Sequence, residues 1–440
     1  MKRLGVWIVG GIVGFLLAAV GCEPAGAQVR GTIFGPGLRN YPVAISPLAP
    51  KDGKGGGADV GTQFADIVTR DLTLSGQFRT IDREAYIEGP ETYTVDTINF
   101  PNWSVIGALA LAKGWLSLEG DRLTVEVRLF DVYQRRQIVG RRYSGSVSEM
   151  RRMAHRFADE IMAQLTGARG PFDSRIAFAS TRGGRFKELY VMSLDGGDVR
   201  QLTNNRTINI SPSWAPRGSV LLYTSYKRRQ PALFSLDLVT GADKPLWSQS
   251  GLNLGGRFSP DGSTIALAVE KDGNTDIILL SADGELRRKF SDSWAIDVSP
   301  SWSPDGNQIA FCSDRAGGPQ IYIQNVDGGE ARRVTFKGNY NTSPAWSPDG
   351  TRIAYVSRTE GVFNIFTTDL NGGEVRQLTQ GAGRNEDPSW SPDSRYIVFS
   401  SSRSGGKKLF IVDAATGTSQ VQLTAGDGDD SSPTWSGWLQ

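Results

Sequence analysis

The seven residues Pro300-Ser301-Trp302-Ser303-Pro304-Asp305-Gly306 recur in near-copy along the second half of the chain, and this recurrence limits the fold more than any other feature. Copies centre on Trp214, Phe258, Trp346 and Trp390, with a shortened one at Trp435. Successive aromatic positions are 44, 44, 44, 44 and 45 residues apart. So regular a period means one structural unit repeated in an array.

Within each unit the aromatic leads into a Ser-Pro-Asp-Gly turn, then an apolar run such as Ile309-Ala310-Phe311. After a polar gap comes a second run such as Ile321-Tyr322-Ile323, then Asp327-Gly328-Gly329, then a last short run ending Val334-Thr335. Short runs rich in Ile, Val, Phe and Tyr, punctuated by Pro-Asp-Gly and Asp-Gly-Gly, are strands joined by tight turns. Four short strands in a repeat of this length predict a propeller blade. The first unit starts at Arg175-Ile176-Ala177-Phe178 with no aromatic strand before it, and the chain ends on an aromatic strand with nothing after it. The C-terminal strand is therefore expected to complete the blade formed by residues 174 to 203, which closes the ring, removes free sheet edges and makes six blades. Departures from the pattern are local: Arg217 replaces the turn aspartate, and Phe258 replaces tryptophan.

At the other end, Lys2 and Arg3 precede an apolar run that finishes in Glu23-Pro24-Ala25-Gly26-Ala27. A basic start, an apolar middle and a small-x-small end predict a secretory signal peptide over residues 1–27, cleaved after Ala27, and hence an exported protein. Ala19-Val20-Gly21-Cys22 offers a competing reading, lipidation of Cys22. Once the signal is gone only Cys312 is left, so no internal disulfide can form. The fold must rest on burial, which 39% hydrophobic residues supply for two domains.

Residues 28–168 lack the repeat and read as a small mixed α/β domain, with residues 169–440 as the propeller. Tyr41-Pro42-Val43-Ala44-Ile45 reads as a strand, and Gly61 to Leu74 as an amphipathic helix. Leu123 to Phe130 alternates as a half-buried strand, with a partner at Gln137 to Tyr143. A helix opens at Ser148-Glu149 with Met150, Met153, Ala154, Phe157, Ile161 and Leu165 on one face. Gly167 to Pro171 breaks it and forms the linker.

No residues point to catalysis. The only histidine, His155, sits among Arg151, Arg152, Arg156, Asp159 and Glu160 and reads as solvated. There is no nucleophile elbow, phosphate loop or Cys/His cluster. Related propellers precede serine-peptidase domains, but with five residues after Trp435 no hydrolase is expected here. Asp427-Gly428-Asp429-Asp430 opens like a calcium loop, yet its twelfth position is Trp438, so an acidic loop is expected. The pairs Arg135-Arg136, Arg141-Arg142 and Arg151-Arg152 read as solvated faces. With a formal net charge of +2 in an exported chain, no nucleic-acid partner is expected.

The propeller instead offers a surface. Six polar segments lead into the aromatic strands: Asn204 to Ser211, Gln249 to Gly256, Asp292 to Ser299, Lys337 to Ser343, Gly381 to Asp387 and Gly426 to Ser432. Connectivity puts them all on one face near the central channel, and loops held by a rigid scaffold make a binding surface. Apolar anchors beside amides and carboxylates suit a protein or peptide ligand. The expected contacts are Leu252, Asn253, Leu254, Asp297, Tyr340, Asn341 and Glu386, with no cofactor, no metal and no catalytic residue.

The order of signal segment, α/β domain and six Pro-x-Trp-Ser-Pro-Asp-Gly repeats closing on a C-terminal tryptophan strand resembles the TolB family of the Tol-Pal system. The resemblance implies a non-enzymatic periplasmic protein that binds the lipoprotein Pal on the channel face and associates peripherally with the outer membrane through it. It further implies coupling through the N-terminal region to TolA, and thereby to TolQ and TolR, in support of outer-membrane integrity and constriction at division. The alternative is an exported propeller lyase or hydrolase using Asp297, Glu386 and Asp387 in the channel.

Overall fold

In a computed structural model, residues 40–51, 57–381 and 383–439 are described, and they belong to one compact unit spanning Arg39–Gln440. The expected signal segment, with Cys22 and the cleavage point, lies outside the described residues.

The first part is a sheet with helices. Strands β1 (Tyr41–Ile45), β2 (Ala49–Pro50), β3 (Phe78–Thr80), β4 (Ala110–Glu119), β5 (Arg122–Asp131) and β6 (Arg136–Ser146) are ordered β3-β1-β4-β5-β6, with β2 also on β4. The β1 pairings are parallel and the β4-β5-β6 meander is antiparallel. Helix α1 (Ala58–Leu74) starts three residues before the expected Gly61. A short helix α2 (Phe100–Val105) precedes β4, and α1 packs against α3 (Met150–Thr166), each burying its apolar stripe: Phe64, Ile67, Val68 and Leu72 from α1, and Met153, Phe157 and Ile161 from α3. Gly167 ends α3 with φ 81°, a left-handed cap suited to glycine.

The second part is six four-stranded antiparallel sheets. Blade 2 is Asn209–Trp214, Val220–Ser225, Ala232–Asp237 and Asp243–Trp247; blade 3 is Asn253–Phe258, Thr264–Lys271, Asn274–Ser281 and Leu286–Lys289. Blade 4 is Asp297–Trp302, Gln308–Ser313, Gln320–Asn325 and Arg332–Arg333; blade 5 is Asn341–Trp346, Arg352–Thr359, Val362–Asp369 and Arg376–Gln377. Blade 6 is Asn385–Trp390, Tyr396–Ser401, Lys408–Asp413 and Val421–Gln422. Blade 1 joins the two ends: Asp430–Trp435 pairs with Arg175–Ser180, in register Asp430 to Ser180 and Trp435 to Ile176. Glu188–Ser193 and Arg200–Gln201 complete it, giving the expected closure.

The repeated motif does two physical jobs. Its tryptophan fills the space between blades, and in three blades its indole N–H donates to the preceding inner strand: Trp214 to Thr434 O at 3.0 Å, Trp302 to Arg257 O at 3.0 Å and Trp390 to Ala345 O at 2.9 Å; Trp346 donates to Gly350 O at 3.3 Å. Burying so large a ring is affordable because its one polar atom is bonded. In the turn, Ser303 Oγ donates to Asp305 Oδ1 at 2.5 Å and accepts from Gln308 N–H at 2.9 Å, while Asp305 accepts from Asn307 N–H at 3.1 Å. Gly306 follows at φ 75°, which explains Ser-x-Asp-Gly as a unit.

The two parts meet on a polar seam. Tyr396 of blade 6 donates from its hydroxyl to Ser75 O at 2.8 Å, and Arg70 of α1 donates to Asp195 O in the blade 1 turn at 2.6 Å. Arg151 pairs with Asp195, and Arg152 with Asp173 at 3.1 Å. Arg151-Arg152 is therefore part of this seam rather than a solvated face. His155 is also a correction. It is buried, its Nδ1 is 2.7 Å from Asp71 Oδ2, and its Nε2 is 3.9 Å from Asp195 Oδ1. The polar side of α3 meets the propeller turn rather than water.

Candidate functional site

The six inner strands surround a cavity of about 460 Å3 on the ring axis, lined by residues from all six blades. Each inner strand breaks register there: for example Leu254 pairs with Ala268 but Arg257 with Ala266. One residue per blade bulges in the left-handed region: Ser211 (φ 53°), Gly255 (69°), Ser299 (56°), Ser343 (53°), Asp387 (57°) and Ser432 (50°). All six line the cavity. A bulge leaves its residue outside the ladder and bends the strand, so a ring of them turns backbone and short polar side chains toward the axis. Left-handed backbone costs an ordinary residue about 1–2 kcal/mol, and glycine or aspartate bears this with least strain.

The expected contact residues divide into two groups. Leu252 and Leu254 line the cavity, with Ile296 and Val298 beside them on the neighbouring blade 4, and Leu252 (42%) and Ile296 (48%) are exposed at its mouth. Tyr340 is half-exposed and packs edge-on against Phe363 at 5.7 Å, with the Arg384 guanidinium over the Phe363 ring. Glu386 is partly exposed and pairs with Lys407 at 2.6 Å.

Asn253, Asp297 and Asn341, by contrast, are buried. Asn341 donates to Gln320 Oε1 of blade 4 at 2.8 Å and to Lys337 O at 2.9 Å. Gln320 also accepts from Thr335 Oγ1 at 2.7 Å, so three side chains join blades 4 and 5. Asn253 donates to Pro231 O and Gln249 O, both at 2.9 Å. Both oxygens of Asp297 accept from Arg315 at 3.0 Å. Asn209, Asn385 and Asp430 occupy the same place in blades 2, 6 and 1 and are equally buried. The asparagines stitch each blade to the one before it beneath the face, whereas Asp297 and Asp430 are held by arginines of their own blades.

The carboxylates do not converge as an acid-base pair would require. Asp297 is held by Arg315 and Glu386 by Lys407, which leaves Asp387 alone at the cavity wall. Burial pushes its carboxyl above the usual range, partly offset by the Ser432 N–H donating at 3.0 Å. In the acidic loop, Asp430 pairs with Arg182 at 2.9 Å and Asp429 accepts from Lys407 N–H at 2.8 Å. Cys312 is buried, and burial pushes its thiol up to about 12, which leaves it an unreactive core residue.

The cavity also contains Arg257, which the sequence reading did not single out. A signal was available. In the other repeats the same position is Ser213, Ser301, Ala345, Ser389 or Thr434.

Comparison with known proteins places this geometry among relatives. Residues 162–439 match a family model described as the TolB beta propeller domain, and residues 30–138 match the TolB amino-terminal domain. The chain is 38% identical over 264 residues to "Tol-Pal system protein TolB" of Desulfosudis oleivorans, covering 60% of each. It is 39% identical over 286 residues to the protein of the same name from Anaeromyxobacter dehalogenans strain 2CP-C, covering 64% of this chain and 65% of that one. The matched stretch thus spans 60% to 65% of these relatives' lengths. The crystal structure of TolB from Acinetobacter baumannii superposes with a TM-score of 0.80 at 27% identity, over 90% of this chain and 97% of that one.

Proposed function

We propose, for a chain that belongs to the TolB family, that it serves the Tol-Pal system as a non-enzymatic periplasmic scaffold holding Pal on the channel face of its propeller. The observation that carries this reading is the mouth of the channel. Leu252 and Ile296 stand exposed beside Leu254 and Val298, with Trp294 78% exposed two residues before Ile296. Large apolar side chains gathered in the open on a rigid face, with polar residues such as Glu386 and Lys407 beside them, have the composition of an interface centre and rim. Coupling to TolA, and through it to TolQ and TolR, belongs to the N-terminal region in this reading. Outer-membrane integrity and constriction at division follow from linking the two. Association with the outer membrane is peripheral in this reading, made through Pal; none of the described helices is long and apolar enough to cross a membrane.

The enzymatic alternative needs two carboxylates with room for a reacting group between them. Arg315 and Lys407 occupy two of the three candidates, which favours binding over catalysis.

Calorimetric titration with a purified Pal domain tests the reading. Replacing Leu254 or Tyr340 by Ala should weaken binding by about 1–3 kcal/mol, as loss of a central anchor does, with little change in melting temperature. Unaltered affinity in both, with affinity lost on removing residues 28–168, would move the site off the ring.

A further inference from the structure

The channel holds one guanidinium and one carboxylate that do not pair with each other. Arg257 stands where the other five blades carry a hydroxyl or a methyl, so the blade itself does not require a cation there. Its Nη1 donates to Pro212 O and to Gly256 O, both at 3.4 Å, which is long for an N–H···O bond. It joins no ion pair among the described residues. A planar fork of five donors thus has one nitrogen weakly engaged. Asp387, on the wall of the same cavity, is occupied by Ser432 N–H at 3.0 Å, Ser400 Oγ at 3.4 Å and Ser432 Oγ at 3.5 Å. Both groups are half-buried, which disfavours the charge on each, and Asp387, too far for an ion pair, offsets this only in part at Arg257. A charge withdrawn from water without a close counter-charge is costly, and a ligand carrying the missing charge removes that cost.

We propose that the channel floor is a carboxylate subsite in which Arg257 receives the side chain of an Asp or Glu carried on a partner loop entering between Leu252 and Ile296. This rests on the reading that the channel face receives a protein. The fork geometry of arginine matches a carboxylate with two parallel bonds. Asp387 sets the upper limit on negative charge: a single carboxylate is tolerated, whereas a phosphate dianion in the same cavity meets like-charge repulsion. The floor therefore adds charge selection to the shape selection of the apolar mouth, and polar complementarity of this kind chooses among partners that the mouth alone would accept.

The test uses the protein with its arginines labelled with 15N. The probes are N-acetyl-aspartate N-methylamide, its neutral asparagine counterpart, and inorganic phosphate. The Arg257 Nε resonance should shift saturably with the aspartate probe and not with the other two. Asp387→Asn keeps an acceptor for Ser432 N–H and removes the repelling charge, so it should tighten aspartate binding by roughly fivefold and admit phosphate. Arg257→Gln, checked for an unchanged melting temperature, should weaken binding of a purified Pal domain by roughly tenfold. Equal shifts with the aspartate and asparagine probes, or no shift with either in wild type and Asp387→Asn, would overturn the carboxylate site. Pal binding unchanged in Arg257→Gln would do the same while leaving the docking reading intact. If the aspartate probe binds and Pal binds neither form, the subsite stands and the assignment of Pal as its occupant falls.

Discussion

The indole N–H of Trp435 donates to Ser174 Oγ at 2.8 Å, joining residues 261 positions apart at the point where the ring closes. Trp435 is buried, and its strand is the inner strand of a blade whose other three strands come from the start of the array. Trp435→Ala removes a core aromatic together with its bond to Ser174 Oγ, so it should cost about 3–5 kcal/mol in denaturant unfolding. Trp435→Phe should cost less, because Phe258 already occupies the equivalent place in blade 3. A loss within experimental error for Trp435→Ala would mean that closure does not hold the ring.

The buried amides beneath the channel face should behave as stability residues. Asn341→Ala removes the side-chain donor to Lys337 O and leaves Gln320 Oε1 with Thr335 Oγ1 as its donor, at a cost of about 1–3 kcal/mol. At temperatures where the variant is folded, its affinity for a Pal domain should stay within about twofold of wild type, since this residue does not reach the surface. Chemical denaturation and calorimetry on the same variant separate the two effects.

Much of the architecture could be read from the 44-residue period because a propeller repeats its packing, and the tryptophan recurs wherever two blades meet. The same period also runs through Asn209, Asn253, Asp297, Asn341, Asn385 and Asp430, spaced 44, 44, 44, 44 and 45. An amide or carboxylate locked to the repeat is a part of the scaffold, and reading each loop by its own composition hid this. Arg257 is the converse case, informative because it breaks the repeat. His155 could not be placed from its neighbours in sequence: helical spacing shows that it lies on the polar face of α3, but only docking against Asp195 buries that face.

That seam makes stability depend on pH with a definite sign. For His155, burial alone would lower the pKa, but the carboxylates of Asp71 and Asp195 outweigh it and the net direction is upward. Burial raises Asp71, and His155 offsets only part of this. Burial likewise pushes Asp159 up to about 7, against the N–H groups of Phe172 and Asp173 that hold it down. With all three raised, the native state binds more protons than the unfolded state from about pH 4 upward, so stability falls as pH rises. The Asp159 share is present below its unfolded value of 3.8 and lost on the way to about 7; the His155 share is present below 6.5 and lost above it. The thermal midpoint should therefore be lower at about pH 8 than at about pH 5. Asp159→Asn should reduce the difference, and a rising midpoint over that interval would refute the assignment. The turn aspartate Asp261, lowered to about 2 by Ser259 and Ser263, titrates below this window, whereas burial raises its counterpart Asp393 in the same direction as Asp159.

The central claim is that a partner is held on the channel face. Hydrogen exchange of the protein with and without a saturating Pal domain reads this directly, because docked loops exchange more slowly. Protection is predicted at Gly251 to Gly256 and Trp294 to Ser299, with the Ser-Pro-Asp-Gly turns at residues 259–262 and 303–306 unchanged. Protection confined to those turns, or to β4, β5 and β6 of the α/β sheet, with the channel-face loops exchanging as in the free protein, would contradict it.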